Sequence, residues 1–80
     1  MYIEKYGLFY YFCLEELDDK YIWLDISKDL SRVGFTFDSK SPLDQIQEKD
    51  VPENVLNKYL EQINNPFFVL ELQEYKNKCI

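Results

Sequence analysis

The sequence predicts an α+β fold: a small four-stranded, mainly antiparallel sheet with one main helix packed on one face, in the order β-β-β-α-α-β. Through the first half of the chain, apolar and polar residues alternate, which is the pattern of strands. Beyond Ser41 the apolar residues recur at helical spacing, and a second alternating run follows near the end. Because 80 residues support one hydrophobic core, residues 1–80 are expected to form a single globular domain.

The first half is expected to form a meander of three strands. The aromatic-rich run from Leu8 to Glu16 predicts the first strand, and Gly7 ahead of it indicates a bulge or bend. The polar residues 15–20 indicate a hairpin connection. The second strand covers 21–26, and the third runs from Arg32 to Asp38. One face of these two strands gathers Ile22, Leu24, Ile26, Val33, Phe35 and Phe37.

The second half carries two helix start signals. Ser41 followed by Pro42 and Asp44 is an N-cap pattern, which predicts a short helix from Pro42 to Lys49. A second start signal and an apolar stripe at helical spacing predict the principal helix, from about Val51 to Ile63.

After this helix the chain is expected to return to the sheet. Asn64-Asn65-Pro66 ends the helix, since proline disfavours helical backbone in the residue before it. The alternating run from Phe67 to Tyr75 predicts the last strand. If the helical segment is a right-handed crossover, this strand lies parallel to the first predicted strand, which gives the sheet order 3-2-1-4.

The uncovered face of the predicted sheet is unusually aromatic, whereas a solvent-facing sheet surface normally alternates to polar residues. It is expected to present Tyr21, Trp23, Phe67 and Val69, with either Phe9, Tyr11 and Cys13 or Leu8, Tyr10, Phe12 and Leu14 from the first strand. Either the chain termini or a strong curl of the sheet bury this surplus, or the face is an interaction surface.

The connection between the first two predicted strands is strongly acidic. Its carboxylates are Glu15, Glu16, Asp18 and Asp19, with Asp25 and Asp29 expected nearby. Such a group is either a solvated turn or a docking site for a basic surface. A calcium loop is not indicated, because its D-x-D-x-D-G pattern is missing.

Composition argues against most catalytic and cofactor chemistry. The chain has no histidine, which is the commonest general base and metal ligand. Cys13 and Cys79 are too few for a zinc site and are expected to be free thiols. The net charge is −6 and the nine basic residues form no run, which argues against direct nucleic-acid binding. We therefore expect no enzyme activity, no metal and no cofactor.

The remaining function class is protein binding. Neither a signal peptide nor a membrane-spanning run is recognised, so a cytoplasmic protein without a membrane partner is expected. We predict a small acidic inhibitor of the immunity-protein, antitoxin or phage anti-defence type that blocks a basic partner protein such as a nuclease. Its predicted partner-binding residues are Tyr11, Glu15, Glu16, Asp18, Asp19, Tyr21, Trp23 and Asp25. The alternative is a homo-oligomeric structural or regulatory subunit, such as a homodimer, that self-associates through its aromatic sheet face.

Overall fold

The computed structural model describes residues 2–38 and 45–79. Within these residues, four strands are followed by two α-helices: β1 (Ile3–Tyr6), β2 (Phe9–Leu17), β3 (Lys20–Ser27), β4 (Val33–Asp38), α1 (Glu53–Ile63) and α2 (Phe68–Cys79). A short 3-10 helix, Glu48–Asp50, precedes α1. The α+β class and the four-stranded antiparallel sheet are therefore confirmed. The predicted element order is wrong, because the chain runs ββββαα.

The sheet is a simple meander with the strand order β1-β2-β3-β4, and every neighbouring pair is antiparallel. The predicted order 3-2-1-4 with a parallel last strand is wrong, because the position beside β2 belongs to β1. A two-residue turn at Gly7 and Leu8 joins β1 to β2. Gly7 has a φ of 62°, which glycine adopts without steric cost. Its role is therefore the turn, while the bulge lies between Cys13 and Glu15 of β2.

Strand β1 is an edge strand with a weak sequence signal. Of its four residues only Ile3 is buried, and two of the others are charged, as is common at sheet edges. It is held by the backbone: Tyr6 pairs with Phe9 and Ile3 pairs with Phe12. No run of alternating apolar residues marks such a strand, which is why the sequence pattern missed it.

The predicted last strand, from Phe67 to Tyr75, is in fact helix α2. Four consecutive apolar residues at 67–70 fit both a buried strand and a buried segment of a helix. At the start of α2 the side-chain oxygen of Asn65 accepts a hydrogen bond from the Phe67 N–H at 2.9 Å. Lysines in the last turn suit the negative end of the helix dipole.

The predicted principal helix is confirmed as α1, with Pro52 as its N-cap residue. Of the predicted short helix from Pro42 to Lys49, residues 42–44 lie outside the described residues. Within the described part, Gln45 forms a bridge to Glu4 of β1, and only Glu48–Asp50 is helical.

Both helices pack on one face of the sheet, which we call the helix-covered face. Phe12 of β2 stacks on Tyr59 of α1, with ring centroids 4.2 Å apart. Phe35 of β4 lies against two rings of α2, at 6.0 Å from Phe68 and 5.1 Å from Tyr75. The buried cluster is formed by Ile3, Tyr10, Phe12, Leu24, Ile26, Val51, Val55, Tyr59 and Phe68. The described elements leave the opposite face of the sheet without a helix.

Candidate functional site

The candidate site is the sheet face opposite α1 and α2, which we call the open face. Residues directly opposite each other in neighbouring antiparallel strands point to the same side, so the register groups its side chains into rows. From the Gly7 end the rows are Tyr6, Phe9 and Ser27; then Glu4, Tyr11, Asp25 and Gly34; then Cys13, Trp23 and Thr36; and finally Glu16, Tyr21 and Asp38. This register settles the choice for β2: the set that includes Tyr11 lies on the open face.

Aromatic rings on the open face lie next to one another along the strands. The ring centroid of Tyr21 lies 6.4 Å from that of Tyr2 and 6.2 Å from that of Trp23. The ring centroids of Phe9 and Tyr11 are 6.2 Å apart. Only 3% of Trp23 is exposed, so its indole is buried and offers almost no contact area to a partner. The half-buried tyrosines supply the accessible aromatic area.

Carboxylates outnumber cations on the open face. Within the described residues its strand positions hold Glu4, Glu16, Asp25 and Asp38. The strand lysines Lys5 and Lys20 belong to the other face, where each ammonium lies 5.8 Å from the centroid of an aromatic ring. Arg32 borders the open face, with its guanidinium 6.0 Å from the Phe9 ring. The open face is therefore both aromatic and acidic.

Asp25 occupies the middle of this face. Only 8% of the residue is exposed, and the Thr36 hydroxyl donates a hydrogen bond to one carboxylate oxygen at 3.2 Å. On the β4 side, Gly34 presents no side chain: a Cβ there would lie 3.6 Å from the same oxygen. On the β2 side its register partner is Tyr11. The carboxylate is thus flanked by a phenol ring and bare backbone.

The tyrosines beside these carboxylates keep their protons well above neutral pH. Burial raises the pKa of Tyr11, and the negative charges of Asp25 and Glu4 raise it further. The charge of Glu16 and a hydrogen bond to it raise the pKa of Tyr2. Both phenols are therefore neutral hydrogen-bond donors at physiological pH.

The predicted acidic hairpin is divided between the two faces. Asp18 and Asp19 form the exposed two-residue turn between β2 and β3. Glu16 lies on the open face beside Tyr21. Because the β2 bulge shifts the register, Glu15 points to the helix-covered face, where it forms an ion pair of 2.7 Å with Lys76 of α2. The prediction that Glu15 lies with its acidic neighbours is therefore wrong.

Asp29 was expected near the acidic hairpin and lies at the opposite end of the sheet. It organises the β3–β4 loop: Ser31 donates its hydroxyl at 2.7 Å and its N–H at 3.0 Å to the Asp29 carboxylate, and Ser27 donates its hydroxyl at 2.8 Å. The Ser31 bonds, followed by the Ser27 bond, lower the pKa of Asp29 to about 2. These partners explain Asp29 as a residue that fixes the loop conformation.

The two cysteines lie on different elements, Cys13 on β2 and Cys79 at the end of α2. Cys13 and Cys79 are both free thiols. Cys13 lies on the open face with 8% exposure, and burial raises the pKa of its thiol. Across residues 2–38 and 45–79, no group of three or more Cys, Asp or Glu side chains is arranged to hold a metal ion.

Several exposed apolar side chains lie on or beside the helices, and their exposure there was not expected from the sequence. Phe67 and Val69, which were predicted to lie on the uncovered sheet face, are 65% and 69% exposed on and beside α2. Leu60 of α1 and Leu70 of α2 are also exposed, at 42% and 62%. These residues were misplaced because residues 67–75 were assigned the two-residue alternation of a strand, whereas they form a helix.

No family model matches the chain, and no curated protein or solved structure is significantly similar to it. What the chain does must therefore be inferred from its own residues. In the part of the chain that the structure describes, neither helix is long and apolar enough to cross a membrane.

Proposed function

We propose that this protein is a non-enzymatic binding module that docks onto a basic protein through its open face. The observation that supports the proposal is the combination of packed aromatic rings with an excess of carboxylates on the sheet face that no described helix covers. Tyrosine contributes a large contact area at a low entropic cost, because its side chain has few rotatable bonds.

Electrostatics favour a basic partner. The chain carries a net charge of −6, and the strand positions of the open face include the carboxylates of Glu16 and Asp25. A field of one sign speeds the association of an oppositely charged surface and weakens as salt is added. In biological terms this suits an immunity protein, an antitoxin or a phage-encoded inhibitor, which would act by covering the basic active site of a partner such as a nuclease.

Self-association through the same face is less favourable. Two copies that met through their open faces would bring the carboxylates of both into one interface, centred on Asp25 and Glu16. Burying like charges opposite one another is costly unless cations separate them. A foreign basic surface provides those cations, whereas the described strand positions of a second copy's open face hold no lysine or arginine.

A selection from displayed random peptides tests the proposal without requiring the partner itself. We expect the selected peptides to be basic and their affinity to fall at high salt. The double variant Glu4→Gln and Glu16→Gln removes two open-face charges and should weaken binding about tenfold, as titration calorimetry would measure.

The matched control removes two charges elsewhere. Asp18→Asn together with Asp19→Asn changes the net charge by the same amount at the exposed turn, and we expect less than about a twofold loss of affinity there. Neutral or acidic peptides, or an equal loss in both double variants, would show that the open face is not the binding surface.

A further inference from the structure

We propose that two copies of this protein pair through the outer edge of β4, antiparallel and centred on Phe35, so that their sheets join into one continuous sheet. This pairing does not depend on the proposed function, because the edge is a row of backbone groups, whereas the open face is a surface of side chains. Residues opposite each other in antiparallel strands point to the same side, so both open faces would lie on one side of the joined sheet.

The outer edge of β4 is the side of the sheet that the described residues leave unpaired. At the opposite edge, Gln45 forms a bridge to Glu4 of β1. No described strand lies beyond β4. Residues 33–37 are all half-buried, whereas residues 22–27 of β3 are all buried. Even Gly34, which has only backbone atoms to expose, is among the half-buried residues, so the backbone of this edge is accessible.

The hydrogen-bond register shows which backbone groups of β4 point outward. Ser27 and Arg32 form a hydrogen-bonded pair, in which the Ser27 N–H donates to the Arg32 carbonyl at 3.0 Å. Hydrogen-bonded and non-hydrogen-bonded pairs alternate along an antiparallel ladder, so the next pair, which contains Val33, is non-hydrogen-bonded. The N–H and C=O groups of Val33, and by the same alternation those of Phe35 and Phe37, therefore point away from β3.

Most of these outward groups have no partner. The Phe37 N–H hydrogen-bonds to the phenol oxygen of Tyr75 in α2. The N–H groups of Val33 and Phe35, and the carbonyls of all three residues, have no hydrogen-bond partner in the described part of the chain. Unpaired backbone groups at a sheet edge are a template for a further strand.

Strand β4 also lacks the features that commonly prevent pairing between sheet edges. These features are lysines, prolines and bulges on the edge strand. Residues 33–37 include neither a charged residue nor a proline, and the pairing of β4 with β3 shows no register shift. The edge strand β1, in contrast, is short and carries Glu4 and Lys5. The sequence of β4 therefore leaves its edge open to pairing.

The edge is complementary to itself, which is why we assign a second copy as its partner. When the pair is centred on Phe35, Val33 lies opposite Phe37 of the second copy, and Arg32 lies opposite Asp38 of the second copy. Arg32 and Asp38 are both exposed on the open-face side, so each end of the interface joins opposite charges. The Phe35 pair and the Val33 N–H groups supply hydrogen bonds that do not use the Phe37 N–H.

Sedimentation equilibrium of the unmodified protein tests the pairing. A reducing agent is present so that the free thiol of Cys79 cannot link two copies. We expect the monomer mass at about 10 μM and twice that mass at about 1 mM. A monomer at every concentration in this range would overturn the inference.

A proline on the edge tests whether β4 forms the interface. Val33→Pro removes an outward N–H and no hydrogen bond to β3, and proline is tolerated at the first residue of an edge strand. We expect it to weaken dimerisation at least about tenfold. The matched control Val33→Thr keeps the N–H and a β-branched side chain, so it should dimerise like the unmodified protein. If Val33→Pro is folded by circular dichroism and dimerises as well as Val33→Thr, the inference is wrong.

Charge reversal tests the register, and it remains decisive if Val33→Pro does not fold. Arg32→Asp and Asp38→Arg each bring like charges together at both ends of the pair. Each variant alone should therefore dimerise at least about fivefold more weakly than the unmodified protein. An equal mixture of the two restores opposite charges at both ends and should regain the unmodified affinity. A mixture that associates no more tightly than its components would overturn the pairing centred on Phe35.

The matched control makes the same changes of charge outside β4. Lys49→Asp and Asp19→Arg lie at exposed positions and should alter dimerisation by less than about twofold, alone or mixed. Equal effects in the control and edge variants would show that net charge, and not the edge, governs association. A dimer that binds no basic peptide would refute the proposed function alone, whereas a monomer that binds such peptides would refute the pairing alone.

Discussion

Adjacent residues of β2 should respond very differently to the same substitution, because they lie on opposite faces of the sheet. Phe12 is 0% exposed and stacks on Tyr59 at 4.2 Å, whereas Tyr11 is half-buried on the open face. Phe12→Leu removes part of a fully buried ring and leaves a cavity, at a cost of about 1–2 kcal/mol. Loss of the ring stacking adds about 0.5–1.5 kcal/mol.

The free energy of unfolding should therefore fall by about 1.5–3.5 kcal/mol in Phe12→Leu. For a domain of this size that corresponds to a decrease of about 6–28 °C in the melting temperature. Tyr11→Leu should cost less than about 1 kcal/mol.

Urea unfolding followed by circular dichroism would measure both free energies of unfolding. An unchanged slope of the free energy against urea concentration would be the check on two-state behaviour. If the two variants lost equal stability, or if Tyr11→Leu lost more, the assignment of the two faces would be refuted.

Three further predictions concern the ion pair of Lys76, the carboxylate of Asp29 and the two cysteine thiols. Lys76→Met should lower the free energy of unfolding by no more than about 1 kcal/mol, because both partners of its ion pair with Glu15 are partly exposed; added salt should reduce the difference from the unmodified protein. The pKa of Asp29 is lowered to about 2, so its contribution to stability is present above pH 4 and is lost as the pH falls towards 2. Melting curves across that range should show a smaller acid-induced loss in Asp29→Asn than in the unmodified protein. Cys79 should react with a thiol reagent faster than Cys13, which is buried and has a raised pKa; equal rates would contradict the burial of Cys13.

Part of the open face could be predicted from the sequence. Period-2 alternation along β3 places Tyr21, Trp23 and Asp25 on one side, and this holds in the structure. The contribution of Glu4 could not be predicted, because it belongs to an edge strand held by backbone pairing. Glu15 was misplaced for a different reason: a bulge shifts the register by one residue, which moves the side chains beyond it to the other face.

Local patterns in the sequence determined β2, β3, β4 and α1, because an aromatic-rich run, a two-residue alternation or a helical spacing of apolar residues marks each of them. Segment 67–75 carries no such distinctive pattern, since its apolar run fits a helix as well as a strand. Tertiary contact resolved it: as a helix, α2 packs both Phe68 and Tyr75 against the same ring, that of Phe35. The same contact places α2 beside α1 on the helix-covered face. The sequence thus determined that an aromatic, acidic sheet face exists, whereas long-range packing decided which residues form it and left it uncovered by either helix.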